Sequence, residues 1–136
     1  MKPYHPTEAE LKGIFDQAKT IAVVGLSDNE ERTSYKISKY MQDFGFKIIP
    51  VNPKVDHVLG EKAYPNLAAI PERVDIVNVF RRSEFLDAIA KEAKEIEPKV
   101  FWAQKGIVDE TVYETYQDEF KVVMDLCIYV AYASLQ

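Results

Sequence analysis

Apolar residues recur along this chain in two patterns, short continuous runs and helical spacings of three and four, and the two alternate from one end to the other. The first is helical: Leu11, Ile14, Phe15 and Ala18 share one face. Thr7-Glu8-Ala9-Glu10 precedes them in the form of a capping box, where the threonine caps free amides and the glutamate reaches back to the cap. A β-branched run from Thr20 to Val24, closed by Gly25, predicts a strand buried on both faces. Polar residues from Ser27 to Thr33 lead into Ile37, Tyr40, Met41 and Phe44, whose spacing predicts a helix with that face turned inward. Gly45 suits the left-handed position after its end.

The alternation then repeats. Phe46 to Val51 predicts a second strand, stopped at Asn52-Pro53-Lys54 because Pro53 has no amide to donate. Residues 55 to 73 carry Gly60, Pro65 and Pro71, which limits regular structure there to a short helical turn near Leu67 to Ile70. Val74 to Phe80 is the third strand; Ser83 is expected to cap a helix that buries Phe85, Leu86, Ile89, Ala90 and Ala93 and ends at Pro98. Lys99 to Ala103 gives a fourth strand, Asp109 a cap for a helix bearing Val112, Tyr113 and Tyr116, and Lys121 to Met124 a fifth strand. An apolar tail with helical character covers 126 to 136. Strands alternating with helices at this spacing predict a Rossmann-like α/β fold, a doubly wound parallel five-stranded sheet with helices on both faces, as a single domain over residues 1–136.

Composition narrows what such a domain does. The 136 residues are 47% apolar, enough for one core, yet no apolar run approaches the roughly 20 residues of a membrane span. The N-terminal stretch lacks the pattern of a secretory signal, and the single Cys127 fits a reducing compartment, so a cytoplasmic location is expected. A net charge of −5 argues against a nucleic-acid partner, whose binding needs a broad basic surface. Glu92, Glu95 and Glu97 read as a solvated helix face. His5, expected in a mobile N-terminal segment, His57 and Cys127 form no metal-binding spacing and no visible catalytic constellation.

In open α/β sheets ligands bind beyond the carboxyl ends of the strands. The segments falling there are Gly25-Leu26-Ser27, Asn52-Pro53-Lys54, Arg81-Arg82-Ser83 and Gln104-Lys105-Gly106, and three of the four carry cations. The first departs from the dinucleotide fingerprint, because Ser27 and Glu30 stand where its second and third glycines fall. Asn52 replaces the acidic residue that usually holds the ribose hydroxyls of NAD, and Lys54 follows it; a phosphorylated ribose, as in coenzyme A or NADP, is better tolerated. Arg81 and Arg82 follow Phe80 at the strand end, where one arginine is expected at an anionic ligand and the other in a structural ion pair. Tyr35, beside Ser34 at the start of the second helix, is a candidate contact or a packing residue. A vestigial cleft in an interaction subunit remains a further reading, with the apolar tail as its contact.

Taken in order, Ile21 to Ser27, Arg32 with Ser34-Tyr35, Ile49 to Pro53, Val79 to Ser83, Trp102 with Gln104 and Gly106, and Val123-Met124-Asp125 resemble small stand-alone CoA-binding proteins. These are similar to the N-terminal CoA-binding domain of the succinyl-CoA synthetase alpha subunit. The resemblance implies that Gly25, Leu26, Ser27, Arg32 and Ser34 lie by the phosphates, that Asn52, Pro53 and Lys54 border the adenosine, and that Arg81 and Arg82 flank the cleft. It puts Gln104, Gly106 and Ile107 along the pantetheine arm of a bound CoA or acyl-CoA. It further implies the binding half of a ligase without the catalytic half. After Asp125 the chain departs from the family pattern, with Leu126 in place of an arginine and an apolar stretch from Ile128 to Tyr132 that offers a packing or self-association surface.

Overall fold

The computed structural model describes residues 2–136. Five strands form one parallel sheet: β1 (Thr20–Val24), β2 (Lys47–Val51), β5 (Ile76–Val79), β6 (Val100–Ala103) and β7 (Lys121–Val123). Their order is β2-β1-β5-β6-β7. The chain therefore proceeds outward from β1 in one direction, then returns to build on its other side, leaving a switch point between β1 and β5. That is where an open α/β sheet parts its connecting loops into a crevice.

The predicted Rossmann-like architecture stands, with β1 spanning its predicted run and the other four strands one to three residues shorter than theirs. Hydrogen-bonded register ends before side-chain burial does: Val74, Phe46 and Met124 are buried just outside their strands. Two hydrophobic clusters cover the two faces. One unites Ala22, Val77 and Phe101 with α3 (Leu86–Ile96) and α4 (Glu110–Tyr116); the other unites Ile21, Val23 and Trp102 with α1 (Glu8–Gln17) and α5 (Ile128–Ala133). Adjacent residues of β1 and β5 thus feed opposite cores, which is why these strands read as continuous apolar runs.

Several local expectations change. Helix α2 (Thr33–Asp43) buries Ser34, Ser38 and Met41, while Tyr40 and Phe44, predicted to face inward, are 47% and 43% exposed. The two aromatics stack instead on the tail: Tyr40 lies 4.6 Å from the ring of Tyr129, and Phe44 4.7 Å from that of Tyr132. Small serines turned toward the sheet let the helix approach it, and the bulky rings find partners on α5. One side of the tail joins the core: Ile128 and Ala131 are buried, with Leu126, Tyr129, Tyr132 and Leu135 partly buried beside them.

Ser83 caps no helix. A 3-10 turn, Ser83–Phe85, precedes α3, and the Ser83 hydroxyl accepts a hydrogen bond from the Val108 amide at 2.9 Å. The stretch from 55 to 73 contains, besides the expected turn at Leu67–Ala69, a two-strand hairpin of β3 (His57–Val58) and β4 (Glu61–Lys62). Leu59 and Gly60 turn it with φ of 56° and 77°, positive at both positions as a tight hairpin requires. His5 is held rather than mobile: its neighbour Tyr4 is 4% exposed within the core, and the Tyr4 carbonyl accepts from the Met124 amide at 3.3 Å.

Candidate functional site

At the carboxyl ends of β1, β2 and β5 the loops part around a cleft of about 850 Å³. Its floor is set by Val24 and Val51, the last residues of their strands, and by Phe80, which follows β5 and donates its amide to the Val24 carbonyl. The cleft thus lies at the switch point that the strand order creates.

The β1–α2 loop is built from short side chains that hold one another. Gly25 has φ of +87°, open to glycine, and donates its amide to the Val51 carbonyl at 2.9 Å. Ser34, buried at the start of α2, reaches back to accept the Ser27 amide at 3.1 Å, while the Ser27 hydroxyl accepts from Asn29 and the Asn29 side chain from Glu31. The loop is therefore preshaped, and it delivers α2 amino-end first to the cleft.

That helix end is left without a side-chain cap, as are those of α3 and α5. Helix α1 is capped by the Thr7–Glu10 box and α4 by the Asp109 carboxylate, but α2 begins at Arg32 with no side-chain cap and no acidic residue in its first turn. The Lys36 amide makes the first bond of the helix, to the Arg32 carbonyl, and both Thr33 and Ser34 line the cleft. Free amides and the positive end of the helix dipole favour an anion there.

Three cations stand around it: Arg32, Lys54 and Arg81. Among the described residues none of the three makes an ion pair. The Arg81 guanidinium carbon lies 4.4 Å from the centre of the Phe85 ring, and that of Arg82, which pairs with Glu84 at 3.2 Å on the open surface, lies 5.6 Å from the same ring. Arg81 therefore lines the cleft, while Arg82 lies outside its lining in an exposed surface pair.

Asn52 is used within the protein. Its amide nitrogen donates to the Leu26 carbonyl at 3.0 Å, its carbonyl oxygen accepts from the Lys54 amide at 2.9 Å, and its backbone amide bonds Tyr64. It ties the β1 loop to the β2 loop across the cleft. Pro53 and Lys54 extend from this tie along the cleft wall.

Of the residues expected at the ligand, Gly25, Ser27, Arg32, Ser34, Asn52, Pro53, Lys54, Phe80 and Arg81 line this one cleft. Leu26 is wholly buried beneath it, and Tyr35 packs against the α1–α5 core. Gln104, Gly106 and Ile107 lie at the end of β6, outside the cleft lining. Gln104 is 4% exposed and accepts the Ile128 amide at 2.9 Å; Gly106 donates to Asp125 at 2.8 Å; Ile107 packs on the α3–α4 core.

The Gly106 amide, together with the charges of Lys105 and His5, keeps the Asp125 carboxyl below its ordinary range. The His5 ring nitrogen lies 4.0 Å from that carboxylate. Asp125 has φ of +57°, a conformation that side chains rarely adopt.

The cleft also contains residues that were not expected at the ligand: Glu31, Thr33, Pro65, Asn66, Leu67, Ile89 and Glu92. Glu92 corrects its reading as a solvated helix face, because its carboxylate accepts the Leu67 amide and closes the far wall. Asn66, which caps the turn at Leu67–Ala69 through its side chain, carried the one available signal, an N-cap residue after Pro65.

Known proteins resemble this chain in family, sequence and fold. The model of the CoA binding domain family matches residues 19–133. The chain is 52% identical over 130 residues to YneT, an uncharacterized protein of Bacillus subtilis (strain 168), covering 95% of this chain and 96% of that one. It is 31% identical over 108 residues to the ADP-forming acetate–CoA ligase II of Archaeoglobus fulgidus, and there it spans 78% of this chain but only 15% of the ligase. Among solved structures, a Thermus thermophilus protein superposes with a TM-score of 0.92 at 30% identity, covering 96% of this chain and 100% of that one. The redesigned PH1109 protein superposes with a TM-score of 0.93 at 26% identity, covering 98% and 95%. With the family model matching nearly the whole strand-and-helix array, the chain belongs to the CoA-binding domain family.

Proposed function

We infer that this protein binds coenzyme A or an acyl-CoA in the cleft, as a binding or regulatory module. The observation that carries the reading is the convergence of the uncapped α2 terminus with Arg32, Lys54 and Arg81, three cations with no ion-pair partner among the described residues. CoA presents a diphosphate and a 3′-phosphate, and separated cations with free amides suit separated phosphates better than a single anion. Gly25, Ser27, Ser34 and Arg32 take the diphosphate; Asn52, Pro53 and Lys54 border the adenosine. Phe80 forms the floor. The pantetheine arm then leaves toward Gly106 and Ile107, with Gln104 supporting the end of α5 beneath it. Membership of the family supports the choice of CoA over NADP.

The test is ligand identity and linkage. Freshly purified protein, denatured and analysed by mass spectrometry, should release CoA or an acyl-CoA; release of NADP instead would make an oxidoreductase the better reading. Added CoA at about 100 times its Kd should stabilise the fold by about 2.7 kcal/mol. Unchanged stability at saturating CoA would defeat the proposal.

A second reading concerns partners. Tyr40, Phe44 and Val130, the last 56% exposed, form an apolar surface across α2 and α5, and it supports self-association or a protein partner. Truncating the tail would remove the buried Ile128 and Ala131, so Val130→Glu is the better probe. An unchanged sedimentation coefficient, if the wild type is a monomer, would dismiss self-association through this face.

A further inference from the structure

A second cavity, of about 300 Å³, opens at the opposite edge of the sheet. Ile76, Val100 and Lys121, which line it, are the first residues of β5, β6 and β7, so it lies beneath the amino ends of the strands and shares no residue with the CoA cleft. Helix α1 supplies its other wall through Gly13, Ile14 and Ala18. Its volume is at the lower end of the ~300–1,000 Å³ typical of small-molecule sites.

Gly13 is the telling residue. It sits inside α1 with no positive φ, and a Cβ added there would meet nothing within 4 Å. Neither backbone conformation nor packing asks for glycine, although glycine is among the poorest residues for a helix interior. Its consequence is a bare stretch of helix facing the cavity.

The charges at the mouth determine what fits. Glu10 and Lys121 pair with each other. Asp75 is committed to the amides of Lys19 and Thr20, at 2.8 and 3.1 Å, and to the Thr20 hydroxyl at 3.3 Å. Lys99 helps hold Asp75 ionised through space, but among the described residues it makes no ion pair of its own. Ile76 and Val100 are sealed beneath the cavity, so its accessible apolar lining is Ile14 and Ala18 beside bare Gly13. With Lys99, a cation without an ion-pair partner among the described residues, this lining matches a short aliphatic chain ending in a carboxylate.

We propose that this cavity is a binding site for a small apolar carboxylic acid, with Ile14 and Ala18 holding the chain across the bare backbone of Gly13 and Lys99 holding the carboxylate. It is independent of the CoA reading.

The full-length protein is titrated with hexanoate and, separately, with hexanol and with CoA, followed by two-dimensional amide NMR. Two variants accompany it: Gly13→Leu, which fills the cavity while improving helix propensity, and Lys99→Gln, which removes the charge. The expected result is a saturable shift at Gly13, Ile14 and Ala18. Either variant should weaken it about tenfold, the scale of losing a charge-assisted hydrogen bond or the apolar site, with CoA affinity unchanged. No saturation by about 20 mM hexanoate, a concentration well above the millimolar affinity of a weak site, would overturn the proposal. So would hexanol binding as well as hexanoate, or either variant binding hexanoate like the wild type. A chain that binds hexanoate in this way but not CoA would sink the CoA reading and leave this site standing.

Discussion

Arg81 crosses directly over Gly25: a methyl group built on residue 25 would lie 3.0 Å from the Arg81 Cδ and 3.1 Å from the Phe80 carbonyl oxygen. The glycine at the end of β1 is thus required twice, by its φ of +87° and by the arginine stem lying against it. The two residues form one device, a bare backbone over which a guanidinium is set at the cleft.

Gly25→Ala is therefore expected to cost about 1–2 kcal/mol of stability through backbone strain, and to displace Arg81. Arg81→Ala, which lies on the surface, should leave the urea midpoint almost unmoved while weakening CoA about tenfold, the effect of one charge-assisted contact. Calorimetric titration of both variants checks the pair. Equal CoA affinity in wild type and Arg81→Ala would remove that arginine from the site.

Asn52 bridges two loops, so its loss should be felt in both stability and binding. Asn52→Ala is expected to cost about 1–2 kcal/mol, since it leaves the Leu26 carbonyl without its donor. Asn52→Asp should be worse for CoA, because a carboxylate there faces a carbonyl oxygen and adds negative charge beside the phosphates. Denaturant unfolding and CoA titration of the two variants separate the tie from the charge.

Gln104 is expected to act through α5. Replacing it with methionine, similar in length but apolar, strands the buried Ile128 amide and should cost about 1–3 kcal/mol. CoA affinity, measured well below the unfolding temperature, should change less than threefold if the side chain only supports the helix. A larger loss with normal stability would make it a ligand contact.

Acid stability provides a test of Asp75. Burial by itself would raise its carboxyl, but the Lys19 and Thr20 amides, the Lys99 charge and the Thr20 hydroxyl outweigh it and hold the group below its ordinary value. Glu10, bonded by Lys121 and the Thr7 backbone, is brought down to about 2. Both groups bind a proton less readily in the folded chain than in the unfolded one. Their stabilisation is therefore complete above the ordinary carboxylate range and is lost as pH falls through it toward the folded values. Thermal midpoints should hold from neutrality to about pH 5 and decline below about pH 4. Asp75→Asn should lower the neutral plateau and make the decline shallower.

The alternation of apolar patterns carried the fold into view, because strands buried on both faces and helices buried on one leave different periods in the sequence. It failed where residues found partners other than the sheet. Tyr40 and Phe44 have core-like spacing, yet they stack on Tyr129 and Tyr132 of a helix almost 90 residues away. Ser83 has the look of a cap, yet it serves the Val108 amide across the domain. Glu92 has the look of solvent-facing charge, yet it satisfies the Leu67 amide at the start of a turn some 25 residues away.

The sequence by itself determined the five sheet strands, the helices between them, their parallel arrangement and the strand-end loops in which Gly25, Asn52, Lys54 and Arg81 lie, because these follow from local periodicity and from residues that stop strands. Only the tertiary structure decided that the first three loops share a cleft while the β6 loop stands outside it, that Arg81 rather than Arg82 faces that cleft, and that Gly13 opens a second cavity. Those outcomes depend on strand order and on which neighbours occupy the space around a side chain. Both are set by contacts between residues far apart in sequence, where local periodicity carries no information.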